Sequence, residues 1–219
     1  MQELKGLIER AAYKLSQRSR KRKFSQFLRE IKPAIDETIL DVGVNDMEYS
    51  ETDNYLEKHY FKPENITAVS KDGVELFEKR YPKIKSLVAD GRSLPFPDNS
   101  FDISYSNAVL EHVGDSNDQV NFLKEIFRVS RRGYITTPNR CFPLEIHTRL
   151  PLLHLILPKK FFDNFLKWIG KGWAAGDYMN LLSKKELKIR LEEAGIKKYD
   201  IHSNRLFGLV ATFSVTWKK

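Results

Sequence analysis

The chain has 219 residues, of which 41% are hydrophobic and 30% are charged. This composition excludes the intrinsically disordered class, and the length suits one core, so we expect a single domain over residues 1–219. The N-terminal residues lack a signal-peptide pattern, and the apolar run Leu150–Pro158 is too short to span a bilayer. Because the lone Cys141 cannot form an intramolecular disulfide, we expect a reducing, cytoplasmic location.

Basic residues outnumber acidic ones by 37 to 29, for a formal net charge of +8. Part of this excess lies in one cluster, formed by Arg18, Arg20, Lys21, Arg22 and Lys23. Such a cluster can hold nucleic acid, an anionic lipid surface or a phosphorylated substrate. No nucleic-acid-binding module accompanies it, so we favour a solvated helix face over a nucleic-acid site.

Apolar residues recur at helical spacing between about Glu3 and Glu30. The pattern predicts two helices joined near Ser19, which together form an N-terminal helical cap over residues 1–32. Pro33 then ends the helical region.

Strands and helices alternate after Pro33. The predicted strands are Ile39–Val42, Ile66–Val69, Ile84–Ala89, Phe101–Tyr105 and Gly133–Thr136. Helices are predicted within 46–60, at Asp72–Tyr81 and at Asp118–Val129. This alternation indicates right-handed crossovers and a parallel sheet.

The C-terminal part has a different pattern. Ser183 is placed to cap a helix over Lys184–Ala194, with Glu186 completing a capping box and Gly195 ending the helix. Two further strands follow, with too few residues between them for a helical crossover. We expect them to pair as an antiparallel hairpin of Lys198–His202 and Leu209–Trp217.

Three segments of the chain carry a family resemblance: Ile39–Val44, Asp90–Asp102 and Ser106–Val113. They resemble the class I S-adenosylmethionine-dependent methyltransferases, in particular the subgroup typified by quinone-biosynthesis methyltransferases. The resemblance extends from about Arg20 to the C-terminus, and beyond Asn139 it rests on the order of elements alone. It implies an α/β fold, a Rossmann-like doubly wound sheet of seven strands, mostly parallel with a C-terminal antiparallel strand, with helices on both faces.

The resemblance also implies S-adenosyl-L-methionine as the cofactor. Matching positions predict a cofactor site of Asp41, Gly43, Val44, Asn45, Ser70, Lys71, Asp90, Gly91, Arg92, Ser106, Asn107 and His112. Asp90 resembles the residue that accepts a hydrogen bond from the adenine amino group. His112 either faces this site or is a capped helical histidine.

Two positions depart from the family pattern. Asn45 stands where a second glycine is common, and asparagine is the next best residue for an unusual backbone angle. Ser70 stands where a carboxylate usually binds both ribose hydroxyls, and a hydroxyl accepts only one such bond. Asp72 follows closely and either supplies the carboxylate or, as we favour, caps the next helix.

The acceptor side is expected after the fifth strand, in an inserted cover over residues 138–180. We select His147 as general base, with Glu145 as its orienting group or as the alternative base, although a polar loop held by its own salt bridges fits equally well. The segment Leu150–Trp168 is rich in leucine and aromatic residues. It is a lid over an apolar acceptor, a segment on a membrane surface with its lysines at the headgroups, or an ordinary helical cap.

Three functions remain open from the sequence. The first is methyl transfer from S-adenosylmethionine to a small-molecule, lipid or glycan-precursor acceptor. The second is a nucleotide-cofactor oxidoreductase, against which the absence of a G-x-G-x-x-G run at Gly43 argues. The third is a noncatalytic binding module that kept the fold. We expect no metal site, since the five histidines are dispersed, and the sequence does not predict the oligomeric state.

Overall fold

The computed structural model of the protein describes residues 2–143, 157–172, 176 and 179–219, without the side chains of 2–12 and 159. These residues contain a seven-stranded sheet in the order β3-β2-β1-β4-β5-β7-β6. The strands are β1 Ile39–Val42, β2 Ile66–Ser70, β3 Lys85–Val88, β4 Phe101–Asn107, β5 Ser130–Pro138, β6 Tyr199–Leu206 and β7 Leu209–Lys218. Neighbouring strands pair in parallel except β7, which is antiparallel to both β5 and β6. The predicted fold class is confirmed.

Helices cover both faces of this sheet. Their bounds are α1 Gln2–Ile31, α2 Tyr55–His59, α3 Glu75–Arg80, α4 Ser116–Val129, α5 Lys159–Trp168 and α6 Lys184–Glu193, with 3₁₀ turns at Pro63–Asn65 and Leu110–His112. One core joins α4 and α6 to the sheet, and the other joins α1, α2 and α3 to the opposite face. Among the described helices, none is both long and apolar enough to cross a membrane.

The N-terminal region is one continuous helix, so the prediction of two helices joined near Ser19 is wrong. Neither glycine nor proline stands near Ser19, and the surrounding arginines and lysines are good helix formers, so nothing local ends the helix there.

A second correction concerns the start of α3. Asp72 does not cap this helix, which begins at Glu75. The carboxylate of Asp46 caps it instead, because its Oδ1 accepts from the backbone N–H of Leu76 at 2.7 Å and of Phe77 at 2.8 Å. A carboxylate from the loop after β1 therefore fixes the helix that follows β2.

The helix α1 is attached to the sheet by a buried tyrosine on β5. The hydroxyl of Tyr134 lies 3.0 Å from the carbonyl oxygen of Lys23, from Gln26 Oε1 and from Ser214 Oγ. The ring of Tyr134 also stacks on Tyr105 of β4, with the centroids 5.7 Å apart. These contacts fix the position of α1 against β5 and its neighbours β4 and β7.

Replacing Tyr134 by phenylalanine should lower the free energy of unfolding by about 1 to 3 kcal/mol, because buried polar partners lose the hydroxyl between them. Urea denaturation followed by circular dichroism measures this loss. Tyr49→Phe is the matched control, since Tyr49 is 83% exposed, and it should change stability by less than about 0.5 kcal/mol. Equal effects of the two substitutions would contradict the role given to the Tyr134 hydroxyl.

Candidate functional site

A small cleft, open to solvent, lies at the carboxyl ends of β1 and β4. Ligands of open parallel sheets bind at this edge. The lining residues are Arg20, Asp41, Gly43, Val44, Asn45, Asp53, Asn54, Tyr55, Leu56, Tyr105 and Asn107. Five of them, Asp41, Gly43, Val44, Asn45 and Asn107, were predicted as cofactor-binding residues. The structure brings these five together.

Gly43 makes the turn that opens the cleft. Its φ is +103°, and its N–H donates to the carbonyl oxygen of Val69 at 2.8 Å. A β-carbon at this position would lie 2.3 Å from Cγ2 of Val109. Both the backbone angle and the close approach therefore require glycine.

The loop after Gly43 is held by an asparagine that the sequence did not single out. Asn54 Oδ1 accepts from the N–H of Asn45 at 2.9 Å, and Asn54 Nδ2 donates to the carbonyl oxygen of Asn45 at 2.8 Å. The left-handed backbone angle is at Asn54, with φ of 46°, and Asn45 is not among the positive-φ residues. The expectation of an unusual angle at Asn45 was therefore wrong. The hydrogen bonds between Asn54 and the backbone of Asn45 hold the loop at the position where a second glycine was expected.

The basic cluster of α1 is only partly a solvated face. Arg18, Lys21 and Arg22 are exposed as expected. Arg20 instead lines the cleft, and Lys23 is buried in contact with the sheet. Burial lowers the pKa of Lys23 to about 7, and the positive charge of Arg20 acts in the same direction. The basic cluster could be seen in the sequence. No sequence pattern indicated that the side chains of Arg20 and Lys23 would point inward.

The predicted adenine-side residues form a separate ion-pair network at the end of β3. Arg92 Nη2 donates to Asp90 Oδ2 at 2.6 Å, and Arg92 Nη1 donates to Asp118 Oδ1 at 2.8 Å. Hydrogen bonds from Arg92 lower the pKa of Asp90, so this carboxylate is anionic at neutral pH. A β-carbon on Gly91 would lie 2.6 Å from the ring of Phe122, which explains the glycine between the pair.

The end of β4 carries two predicted residues with different environments. Ser106 is buried, and its Oγ donates to the carbonyl oxygen of Val42 at 2.8 Å, so it joins β4 to β1 outside the cleft lining. Asn107 lines the cleft, and its Oδ1 accepts from Thr136 Oγ1 at 2.5 Å. Because Thr136 occupies this oxygen, the amide nitrogen of Asn107 is the group available to a ligand.

His112 lies in the 3₁₀ turn after β4, beside a carboxylate that the sequence did not single out. Its Nε2 is 4.0 Å from Glu111 Oε1. Glu111 is fully buried, and its Oε2 accepts from Thr137 Oγ1 at 3.1 Å. His112 is not among the residues that line the cleft.

A family model described as a methyltransferase domain matches residues 40–136. That range begins at β1 and ends within β5, so it contains the cleft turn, the Asp90 network and the end of β4. Over these residues the chain is similar to the methyltransferase domains that the family model describes. The subgroup typified by quinone-biosynthesis enzymes stays a prediction.

Similar proteins agree with this assignment. A probable S-adenosylmethionine-dependent methyltransferase of Mycolicibacterium smegmatis is 39% identical over 64 residues, which are 28% of this chain and 24% of that protein. A methyltransferase structure from Methanosarcina mazei aligns with a TM-score of 0.58 and 19% identity, over 85% of this chain and 94% of that one. A Burkholderia thailandensis N-methyltransferase holding S-adenosylhomocysteine and 1,6-didemethyltoxoflavin aligns with a TM-score of 0.59 and 14% identity, over 91% of this chain and 77% of that one.

The charges of the methyltransferase domain suit the methionine end of S-adenosylmethionine. An α-amino acid presents an ammonium and a carboxylate close together, and the cleft wall provides the carboxylate of Asp41 and the guanidinium of Arg20. The turn at Gly43 leaves no space for a side chain, so the backbone itself borders the cleft there. The residues present therefore fit this cofactor.

The ribose and catalytic positions are less complete. Ser70 is buried at the end of β2, Lys71 is exposed, and neither is part of the cleft lining. Asp72 is also exposed. Glu145 and His147 lie outside the described residues, so the general-base hypothesis stays a prediction.

Substituting Gly43 by alanine should lower the free energy of unfolding of the methyltransferase domain by about 2 to 4 kcal/mol, from backbone strain and overlap with Val109. The double variant Gly43→Ala/Val109→Ala removes the overlap and keeps the strain. Its loss should therefore be at least about 1 kcal/mol smaller than the sum of the two single losses. Denaturant unfolding of all four proteins measures this coupling. Additive losses would show that Gly43 and Val109 are not in tight contact.

Proposed function

We propose that the protein transfers the methyl group of S-adenosylmethionine to an apolar small-molecule or lipid-like acceptor. The observation that carries the proposal is the cleft at the ends of β1 and β4, where Arg20 and Asp41 face the same space. A site for a dinucleotide or for adenosine, neither of which has an amino acid group, would not need a cation and a carboxylate at the ends of β1 and β4. The family match and the similar structures support the same class of reaction.

Each end of the cofactor has a proposed partner. Asp41 accepts from the ammonium, Arg20 donates to the carboxylate, and Asp90 accepts from the adenine amino group. Asn107 presents its amide nitrogen beside the methionine end. S-adenosylmethionine, when bound, supplies an electrophilic methyl group on a sulfonium, so the residues act chiefly by positioning.

The ribose clamp is proposed to be weaker than the family pattern. The Ser70 hydroxyl can accept one hydrogen bond where a carboxylate accepts two. The position of Ser70 at the carboxyl end of β2, between the ends of β1 and β3 in the sheet, suits a ribose contact.

The two ends of the cofactor can be tested separately with two ligands. Arg20→Ala should weaken binding of S-adenosylhomocysteine about tenfold and leave 5′-methylthioadenosine, which lacks the amino acid group, unchanged. Asp90→Ala should weaken both ligands, since both contain adenine. Isothermal titration calorimetry measures all affinities.

Arg18→Ala is the matched control for Arg20, because it removes the same charge from an exposed position of α1. It should change neither affinity. If Arg20→Ala weakens both ligands equally, or no more than Arg18→Ala does, Arg20 does not bind the amino acid end.

The acceptor is proposed to approach from the side where β5 ends at Pro138. Residues 138–180 are the proposed cover of this side, with His147 as general base and Glu145 as its orienting partner. The Burkholderia enzyme, a 1,6-didemethyltoxoflavin N1-methyltransferase, is an example of a similar fold that acts on a small molecule. A noncatalytic module would bind the cofactor but would transfer no labelled methyl group to any cellular extract.

The exposed face of α5 supports a lipid-like acceptor. Phe161 is 64% exposed and Trp168 is 82% exposed, with Phe165 between them on the same face of the helix. Lys160 and Lys167 are also exposed. An apolar aromatic stripe bordered by lysines is typical of helices that lie in the headgroup region of a bilayer.

The opposite face of α5 is anchored near the acceptor side. Phe162 and Leu166 are buried against Met179. The next residue, Asn180, donates its N–H to the carbonyl oxygen of Glu111 at 2.7 Å, at the turn that follows β4. We therefore propose that α5 rests on an anionic lipid surface while the site opens beside it. The cytoplasmic location stays a prediction.

Phe161→Glu/Trp168→Glu should lower binding to phosphatidylglycerol vesicles about tenfold or more, since two aromatic side chains lose their burial in lipid. Vesicle co-sedimentation measures the binding, which should weaken in high salt and with phosphatidylcholine vesicles. Phe207→Glu is the control, because Phe207 is 80% exposed between β6 and β7. An equal loss in the control, or none in the α5 variant, would contradict membrane contact through α5.

A further inference from the structure

A buried carboxyl group lies behind the cleft and has no role in the function proposed above. Glu57 lies on α2 and is 5% exposed. Both of its carboxyl oxygens are shielded from solvent, and no donor of another described residue is hydrogen-bonded to either of them. Burying a carboxylate without donors is costly, so such a group needs a charge partner, a proton or a ligand.

The carboxyl of Asp41 lies beside that of Glu57, within hydrogen-bonding reach. Two ionised carboxylates at this separation repel each other, whereas one proton between them makes a hydrogen bond. Burial, and then the adjacent Glu57, raise the pKa of Asp41 well above its usual range. Burial likewise raises the pKa of Glu57.

Charged and titratable groups face this pair from every element packed around it. Arg20 of α1 lowers the pKa of Asp41, but its effect is smaller than that of burial or of Glu57. Tyr105 of β4 and Tyr81 of α3 are phenols, and burial raises the pKa of both, so neither is a cation or an anion at neutral pH.

The remaining neighbours are Glu48, in the loop after β1, and Lys58, beside Glu57 on α2. Lys58 Nζ lies 2.9 Å from Glu48 Oε2, and Tyr81 donates to Glu48 Oε1 at 2.5 Å. The ammonium of Lys58 is therefore paired with Glu48 and is not hydrogen-bonded to Glu57. No cation of the described residues is hydrogen-bonded to the Glu57 carboxyl.

We propose that Asp41 and Glu57 share one proton while the cleft is empty and release it to solvent when a cationic group binds beside Asp41. Asp41 lines the cleft and Glu57 stands behind it, so a ligand meets the pair through Asp41. The cation is the α-ammonium of the cofactor, and in this respect the inference rests on the proposed function. Glu57 is then a positioning residue that sets the proton content of Asp41.

The charges balance in this exchange. The empty pair carries one negative charge and one proton, whereas the occupied pair carries two negative charges and the ligand's positive charge. An opposite charge within about 4 to 6 Å favours the ionised carboxylates, which is why the proton leaves. Since the bound state holds fewer protons, affinity rises with pH, by up to about tenfold per pH unit. The rise should be read below about pH 7.5, where the ligand's own α-amino group keeps its proton.

Calorimetry in buffers of different ionisation enthalpy counts the released protons directly. Below about pH 7.5, wild-type protein should release protons to the buffer when S-adenosylhomocysteine binds, at most one per ligand. Glu57→Gln should release fewer protons and show a weaker pH dependence, because the glutamine amide can donate to Asp41 while the burial of Asp41 remains. Glu51→Gln is the matched control, an exposed carboxyl in the loop before α2 that should leave proton release unchanged. No proton release by the wild type, with affinity flat in pH, would overturn the proposal.

Carbon-13 carboxyl NMR of the unliganded protein tests the shared proton without any cofactor. One carboxyl of the pair should titrate well above the usual aspartate and glutamate values. Titration of both groups at their usual values would overturn the proposal even if S-adenosylhomocysteine binds. A protonated pair in a protein that fails to bind S-adenosylhomocysteine would instead contradict only the proposed function.

Discussion

The turn at Gly43 is the constraint on which the rest of the site depends. Its N–H is bonded to β2 through Val69, and Val109 fills the space where a side chain would be. The chain must therefore leave β1 at one angle and at one depth. This angle brings the following loop to the ends of β1 and β4, where Asp41 also lines the cleft.

Side-chain pairing holds the loop at the position where the family pattern that the chain resembles has a second glycine. Asn54 binds the backbone of Asn45 on both sides, and Asp46 caps α3. Glu48 joins the same loop to Tyr81 beyond α3. The loop after β1 and the elements around β2 are thus one hydrogen-bonded unit. The conformation of such a loop depends on all of these hydrogen bonds together. The loop also loses less backbone entropy on folding than a glycine-rich loop does.

Features that depend on local sequence were predictable. Apolar runs located every strand of the sheet, and the capping box of Ser183 and Glu186 marked the start of α6. Asp41, Gly43 and Asn107 were predicted because they stand at positions that match the pattern of the family that the chain resembles. Features that depend on distant contacts were not predictable. Arg20 faces inward because of where α1 packs, and Asn54 matters because of a partner across the loop, which no local pattern shows.

Charge placement links this architecture to its proposed chemistry, since the cleft holds a guanidinium opposite a carboxylate and a second carboxyl lies behind it. The most direct test is a crystal structure of the protein with S-adenosylhomocysteine. The account predicts the amino acid end between Arg20 and Asp41, with its ammonium on Asp41, and the adenine amino group beside Asp90. A ligand whose amino acid end lies away from both Arg20 and Asp41, or whose adenine lies away from the end of β3, would contradict it.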